Sequence, residues 1–235
     1  MSFIEQQNKA ANSTKEYWNE QASLVSWYKS PKTTLSTNSN SWTDWFADGE
    51  LNTSYLALDY HIEQGRGEQI ALIYDSPVSN TKQTFTYLEL TELVAKFADV
   101  LQKQHVEKGD RVLIYMPMIP QAAIAMLACA RIGAIHSVVF GGFAAKELAV
   151  RIDDAEPKII VSASCGIEIE KIIPYKPLLD NAIELANHQP SSCIIYQREQ
   201  LSAQMISGRD YNWQILMNTA RPIAPVSLKS TDPLY

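Results

Sequence analysis

Apolar residues recur at regular spacing through most of this chain, but not through its first fifty positions, which are rich in Ser, Thr, Asn and Trp. Within that stretch STKEYWNEQA predicts a short helix, with Ser13 and Glu16 at capping-box spacing. NSNSWTDWFADGELN follows, and Trp42, Trp45 and Phe46 find no partner inside it. Aromatics this dense in a loop pin an arm onto a domain body. Residues 1–50 therefore read as an arm, and residues 51–235 as the body.

From Asn52 onward the periodicity becomes regular. TSYLALDYHIEQG has helical spacing at Tyr55, Leu58 and Ile62 and a stop at Gly65. IALIYDS and QTFTY read as two strands of a hairpin turning at Ser79-Asn80. Thr86 fits as N-cap of YLELTELVAKFADVLQKQ, whose Leu90, Leu93, Val94, Phe97 and Leu101 form one apolar face. Gly109 ends that helix before RVLIYMP, a strand apolar on both sides.

Strict alternation follows. PQAAIAMLACARIG, AAKELAVRIDDA, YKPLLDNAIELAN and DYNWQILMNTA read as helices, interleaved with the strands AIHSVVF, KIIVSA and CIIYQ. Strands alternating with helices of roughly ten to fifteen residues imply an α/β fold, a mostly parallel sheet covered by helices on both faces. AIHSVVF and KIIVSA are expected to be interior parallel strands joined by AAKELAVRIDDA. The tail RPIAPVSLKSTDPLY is a connection in which Asp232-Pro233 makes a turn and Leu234-Tyr235 starts a strand.

Composition narrows the partners. At 46% hydrophobic and 20% charged residues the chain is ordinary for a globular protein, and its net charge of −6 disfavours nucleic acid and anionic membranes. The first residues hold no apolar run of a signal peptide and no later run is long enough to span a bilayer, so a cytoplasmic protein is expected. Cys129, Cys165 and Cys193 read as reduced, buried thiols, and the four scattered histidines form neither a metal cluster nor a triad. His136 reads as a satisfied core residue.

In open parallel sheets, ligands bind beyond the carboxyl ends of the strands. MPMIPQ after the first body-sheet strand lacks a glycine-rich turn, and the chain contains no G-x-G-x-x-G and no Walker A loop. GGFAAKEL is a better candidate, because Gly141 and Gly142 open the backbone where a helix N-terminus suits a phosphate or a flat purine; the same pair also fits a plain tight turn. SCGIEIEKIIPYKP reads as a longer loop in which Lys171 and Lys176 are placed to meet an anion and Glu168 and Glu170 to oppose it, and equally as a solvated loop.

Taken together, FTYLELTELVAKFADVL, KGDRVLIYMPMIPQAAIAMLACARIGAIHSVVFGGFAAKELAVRIDDAEPKIIVSAS and IIPYKPLLDNAI resemble the N-terminal part of the short-chain acyl-CoA synthetases, AMP-forming enzymes of the adenylate-forming superfamily. The resemblance runs from Tyr17 to Tyr235 and is most specific between Gly109 and Ser164. Acetyl-CoA synthetases carry a GVRGGR…IPLK type of loop where this chain has GIEIEKIIPYKPLLD, which is more similar to propionyl-CoA synthetases and their mitochondrial relatives. Propionate is thus the implied acid, with acetate the alternative.

The resemblance implies that a carboxylate attacks the α-phosphorus of Mg-ATP to give an acyl-adenylate and pyrophosphate, and that the thiol of CoA then displaces AMP. ATP, CoA and a short-chain carboxylate are substrates, with no prosthetic group. It further implies that the chain is cut just before the Ser/Thr/Gly-rich loop that holds the ATP phosphates, so that this piece carries no catalytic residue and no metal ligand and does not catalyse alone. What it retains by resemblance is part of the CoA site: Phe140, Gly141 and Gly142 against the adenine, and Glu168, Ile169, Glu170 and Lys171 near the 3′-phosphate. Where acetyl-type enzymes place two arginines this chain has Glu168 and Lys171, which leaves Arg151 or Lys146 as alternative phosphate contacts. A stand-alone nucleotide-binding module and a non-catalytic interaction protein docking through the Trp-rich arm are the rival readings.

Overall fold

The structure, a computed structural model, describes residues 2–169 and 171–235. The chain opens with a helix absent from the sequence expectations, α1 (Phe3–Asn12), capped by the Ser2 hydroxyl and the reciprocal Glu5 carboxylate. Helix α2 (Thr14–Ala22) follows as expected, but the Ser13–Glu16 capping box does not form. Ser13 is spent ending α1: its backbone N–H donates to Lys9 and its φ of −136° and ψ of 56° lie outside the extended conformation that an N-cap needs.

Strands β1 (Leu35–Thr37) and β2 (Thr43–Trp45) pair antiparallel in the Trp-rich segment. Trp45 meets Trp18 edge-on at 5.8 Å and Phe46 leans on Trp27 at 5.7 Å, so these aromatics pack chiefly on other parts of the arm. Trp42 stays exposed. Ties to the body include backbone pairing of β3 (Glu50–Leu51) with Leu228–Lys229 of the tail and the Tyr28 ring against Tyr55 at 5.1 Å.

The helix expected over 53–65 is two short ones, α3 (Thr53–Ala57) and α4 (Asp59–Glu63). They break at Leu58, which leaves helical geometry (φ −129°, ψ −75°) while its side chain enters the core. The hairpin β4 (Ile70–Ser76) and β5 (Thr81–Thr86) forms as expected. Helix α5 (Tyr87–Lys103) starts at a full capping box of Thr86 and Glu89 and buries Leu90, Val94, Phe97 and Leu101; Leu93 is half-buried against the same core.

The body sheet begins with β6 (Arg111–Met116), followed by α6 (Pro120–Ile132), β7 (Ile135–Phe140), α7 (Ala145–Ala155) and β8 (Ile159–Ala163). The stretch expected to be a loop is instead an antiparallel hairpin of β9 (Cys165–Glu168) and β10 (Lys171–Pro174). After it come α8 (Tyr175–Leu185), β11 (Ser192–Tyr196), β12 (Asp210–Asn212), α9 (Trp213–Asn218) and β13 (Leu228–Lys229). DYNWQILMNTA thus splits into a strand and a short helix capped by Asn212.

Among the described residues the sheet has the order β12-β11-β8-β6-β7, every neighbour parallel. One core lies on the α5/α6 side, where Trp213 stacks on Phe97 at 3.7 Å. A second lies on the α7/α8 side, around Leu148, Ile152 and Leu179.

KIIVSA is interior, between β11 and β6, but AIHSVVF (β7) lies at the sheet edge, with Val138 and Phe140 exposed. An apolar run reads alike at an edge and at a centre, because it reports burial of faces rather than pairing of both edges. The chain's last residues approach that edge: the His136 N–H donates to the Leu234 carbonyl at 3.2 Å, and the Tyr235 ring sits 5.8 Å from His136. His136 itself is buried as expected but not satisfied, since its Nδ1 has no partner among the described residues.

Cys129, Cys165 and Cys193 are free and buried; burial raises the Cys129 thiol and pushes Cys193 up to about 12. Among the described residues no helix is long and apolar enough to cross a membrane.

Candidate functional site

A cavity of about 550 Å³ opens at the carboxyl ends of β6 and β7, where a parallel sheet presents its ligand sites. Its floor is Met116 and Pro117 after β6, one wall is Phe140-Gly141-Gly142 after β7, and a second wall is Ile167 and Glu168 of β9. The β4–β5 hairpin closes a third side with Tyr74 through Val78. A smaller cavity of about 250 Å³ adjoins it, sharing Tyr74, Ile119 and Arg198 and otherwise lined by Gln83, Gln121, Gln197 and Gln214 among others.

The two glycines have different reasons to be glycine. A Cβ on Gly141 would lie 2.8 Å from the Met116 carbonyl oxygen and 2.9 Å from the Tyr175 ring, with the Tyr175 hydroxyl nearer still. Gly166 is likewise pressed by Tyr175, at 2.5 Å from the ring. Tyr175 stacks on Tyr115 at 4.9 Å, and both fill the space these glycines leave. Gly142 instead faces the Phe140 ring at 3.0 Å and the Glu168 carboxylate at 3.5 Å, so it belongs to the cavity wall. Burial, and then the Glu168 charge, push the Tyr175 phenol up to about 12, while Arg198 pulls the other way. Tyr175 therefore enters the cavity as a neutral ring.

Phe140, Gly141, Gly142 and Glu168 are brought together in this cavity. Ile169 stands exposed beside the hairpin turn with φ of +54°, and Lys171 is exposed in register with Glu168; neither lines the cavity. Glu170 lies outside the described residues. Lys176 cannot meet a ligand: it is buried in ion pairs with Asp180 at 2.6 Å and Asp210 at 2.8 Å, a network that Arg209 completes. Arg151 and Lys146 are exposed on α7 and do not line the cavity.

Arg198 is the residue the sequence did not single out. It is the one cationic side chain lining the cavity among the described residues, at the carboxyl end of β11. The placement rule for parallel sheets applied to the loop after CIIYQ as much as to the others.

The family model for AMP-binding enzyme matches residues 59–235, and that for Acetyl-coenzyme A synthetase N-terminus matches residues 5–57. An uncharacterized protein of Pseudomonas aeruginosa is 52% identical over all 235 residues, which span 37% of its length. Human acyl-CoA synthetase short-chain family member 3, mitochondrial, is 50% identical over 220 residues, 93% of this chain and 32% of that protein. Propionate–CoA ligase of Escherichia coli is 44% identical over 216 residues, 92% of this chain and 34% of that protein. The chain thus spans about a third of the length of the curated relatives it matches. The solved acetoacetyl-CoA synthetase of Streptomyces lividans superposes on the whole chain with a TM-score of 0.87 at 21% identity, covering 35% of that structure, which establishes the shared fold.

Proposed function

We propose, on the premise that this chain belongs to the AMP-binding enzyme family, that it forms the N-terminal part of a short-chain acyl-CoA synthetase whose acid is propionate. The observation that carries the choice of acid is the 44% identity to a propionate–CoA ligase across 92% of this chain. Acetate is the second reading, favoured by the match of residues 5–57 to the acetyl-coenzyme A synthetase N-terminus. The whole enzyme joins propionate and CoA in the cytoplasm at the expense of ATP, releasing AMP and pyrophosphate. A carboxylate is a poor acylating agent because its leaving group is poor; adenylation replaces it with AMP, which the CoA thiol then displaces.

In this reading residues 1–50 are an arm on the α/β body of 51–235, and the body supplies half of the CoA site. The adenine lies against Phe140, Gly141 and Gly142, with Glu168, Ile169, Glu170 and Lys171 near the 3′-phosphate. The open platform of Phe140 and Gly142 supports this, since a flat ring needs an apolar face approached without an intervening Cβ. No catalytic residue is assigned to the chain.

The test uses the 235-residue protein itself. CoA is expected to bind with a Kd of about 1 mM, since half of the site is supplied elsewhere. It should bind about tenfold more tightly than dephospho-CoA, the gain of one exposed charge-assisted contact. With ATP, Mg and propionate the same protein should release no pyrophosphate above a buffer control. Release of pyrophosphate, or no difference between the two coenzymes, would refute this division of the site.

A further inference from the structure

Resting on the reading of this cleft as a CoA site, we infer that Arg198 binds a phosphate group of the coenzyme. Arg198 sits where the two cavities meet and lines both. Its backbone N–H donates to the buried Ser164 hydroxyl at 2.8 Å, and its Nη1 donates to the Cys165 carbonyl at 3.1 Å. That anchors one end of the guanidinium at the base of the β9–β10 hairpin. A guanidinium has five N–H donors, and among the described residues no carboxylate lies within ion-pairing distance of this one. A half-buried, anchored fork with unused donors at the mouth of a cleft matches a phosphate, which it grips through two parallel hydrogen bonds.

The other cations are accounted for. Lys176 and Arg209 are consumed by Asp180 and Asp210, and the exposed Lys171 lines neither cavity. The larger cavity also carries Asp75 and Glu168. Asp75 is paired with the Lys82 ammonium at 3.0 Å, so Glu168 is the charge that Arg198 offsets; without Arg198 it is left to repel a phosphate. Lys171 is exposed, and a solvent-screened charge contributes less than a half-buried, anchored one.

Ligand-observed NMR titrations of CoA, dephospho-CoA and pantetheine into the wild-type protein, Arg198→Gln, Arg198→Lys and Lys171→Gln, at one low salt concentration, test this. Arg198→Gln should weaken CoA about tenfold or more, and Arg198→Lys should recover part of the loss. Loss of the preference for CoA over dephospho-CoA assigns Arg198 to the 3′-phosphate, and equal weakening of both assigns it to the diphosphate; either supports the inference. Pantetheine binding should not change. If both Arg198 variants bind CoA like wild type while Lys171→Gln loses the preference, the inference fails and the cleft reading stands. If wild type binds CoA no better than pantetheine, the cleft reading itself fails and takes the inference with it. A merely structural Arg198 would lower the melting temperature in both variants and leave CoA affinity untouched.

Discussion

Replacing Arg131 with methionine should destabilise the protein by about 3–5 kcal/mol, the cost of leaving one partner of a buried ion pair alone. Arg131 is at the last turn of α6 with only 4% of its side chain exposed, and it grips Asp59 with both Nη atoms at 2.7 and 2.9 Å. Its Nε also donates to the Ile223 carbonyl at 2.7 Å, while its own carbonyl accepts from the Val226 N–H and the Asn52 side chain. One residue therefore ties α4, α6 and the returning tail together. At about 2–4 °C per kcal/mol for a chain of this size, the melting temperature should fall by roughly 6–20 °C. Adding Asp59→Asn should restore part of the loss, because an unpaired amide is cheaper to hold there than an unpaired charge. A shift of under 2 °C in the single variant would show that water, rather than Arg131, satisfies Asp59.

Gly141→Ala is expected to cost about 1–3 kcal/mol, the range for forcing a methyl group into a filled site. Two contacts compete for that space. The Tyr175 ring can tilt away, but the Met116 carbonyl at 2.8 Å is backbone of β6, an interior strand paired on both sides, and cannot. Tyr175→Phe removes the nearest atom and should rescue only part of the loss. The same change should perturb the cavity, because Tyr175 is one of its walls. Thermal melts of the two single variants and the double variant read the coupling directly. Full stability of Gly141→Ala would mean that this glycine is there for ligand approach alone.

The elements that the hydrophobic period predicted well are those whose burial is set by a single packing surface. Leu90, Val94, Phe97 and Leu101 repeat on one face of α5, and one core receives them. The edge position of β7 was not legible, because alternation reports covered faces and is silent about which edge is paired. The β9–β10 hairpin was missed because its charged residues, Glu168 and Lys171, mimic a solvated loop and its two strands are only four residues each. Lys176 illustrates the converse. Its sequence neighbours suggest a surface cation, yet Asp210, far along the chain, draws it into a buried network. Arg198 needed the fold for the same reason, since the cavity it lines is built from strands, turns and hairpins spread over more than a hundred residues. Phe140, Gly141, Gly142 and Glu168, by contrast, could be found from the strand-end rule and the family resemblance together.

The central claim is that the carboxyl ends of β6 and β7 hold the coenzyme. It is tested most directly by following backbone amide shifts of isotopically labelled protein as CoA is added. The account predicts perturbations concentrated at Phe140, Gly141, Gly142, Glu168 and Arg198, saturating together with one Kd. The opposite end of the sheet offers an internal comparison, a cavity of about 220 Å³ lined by Asp110, Lys158 and His188 that should stay silent. Saturating shifts at that end, with none at Phe140 through Gly142, would contradict the account.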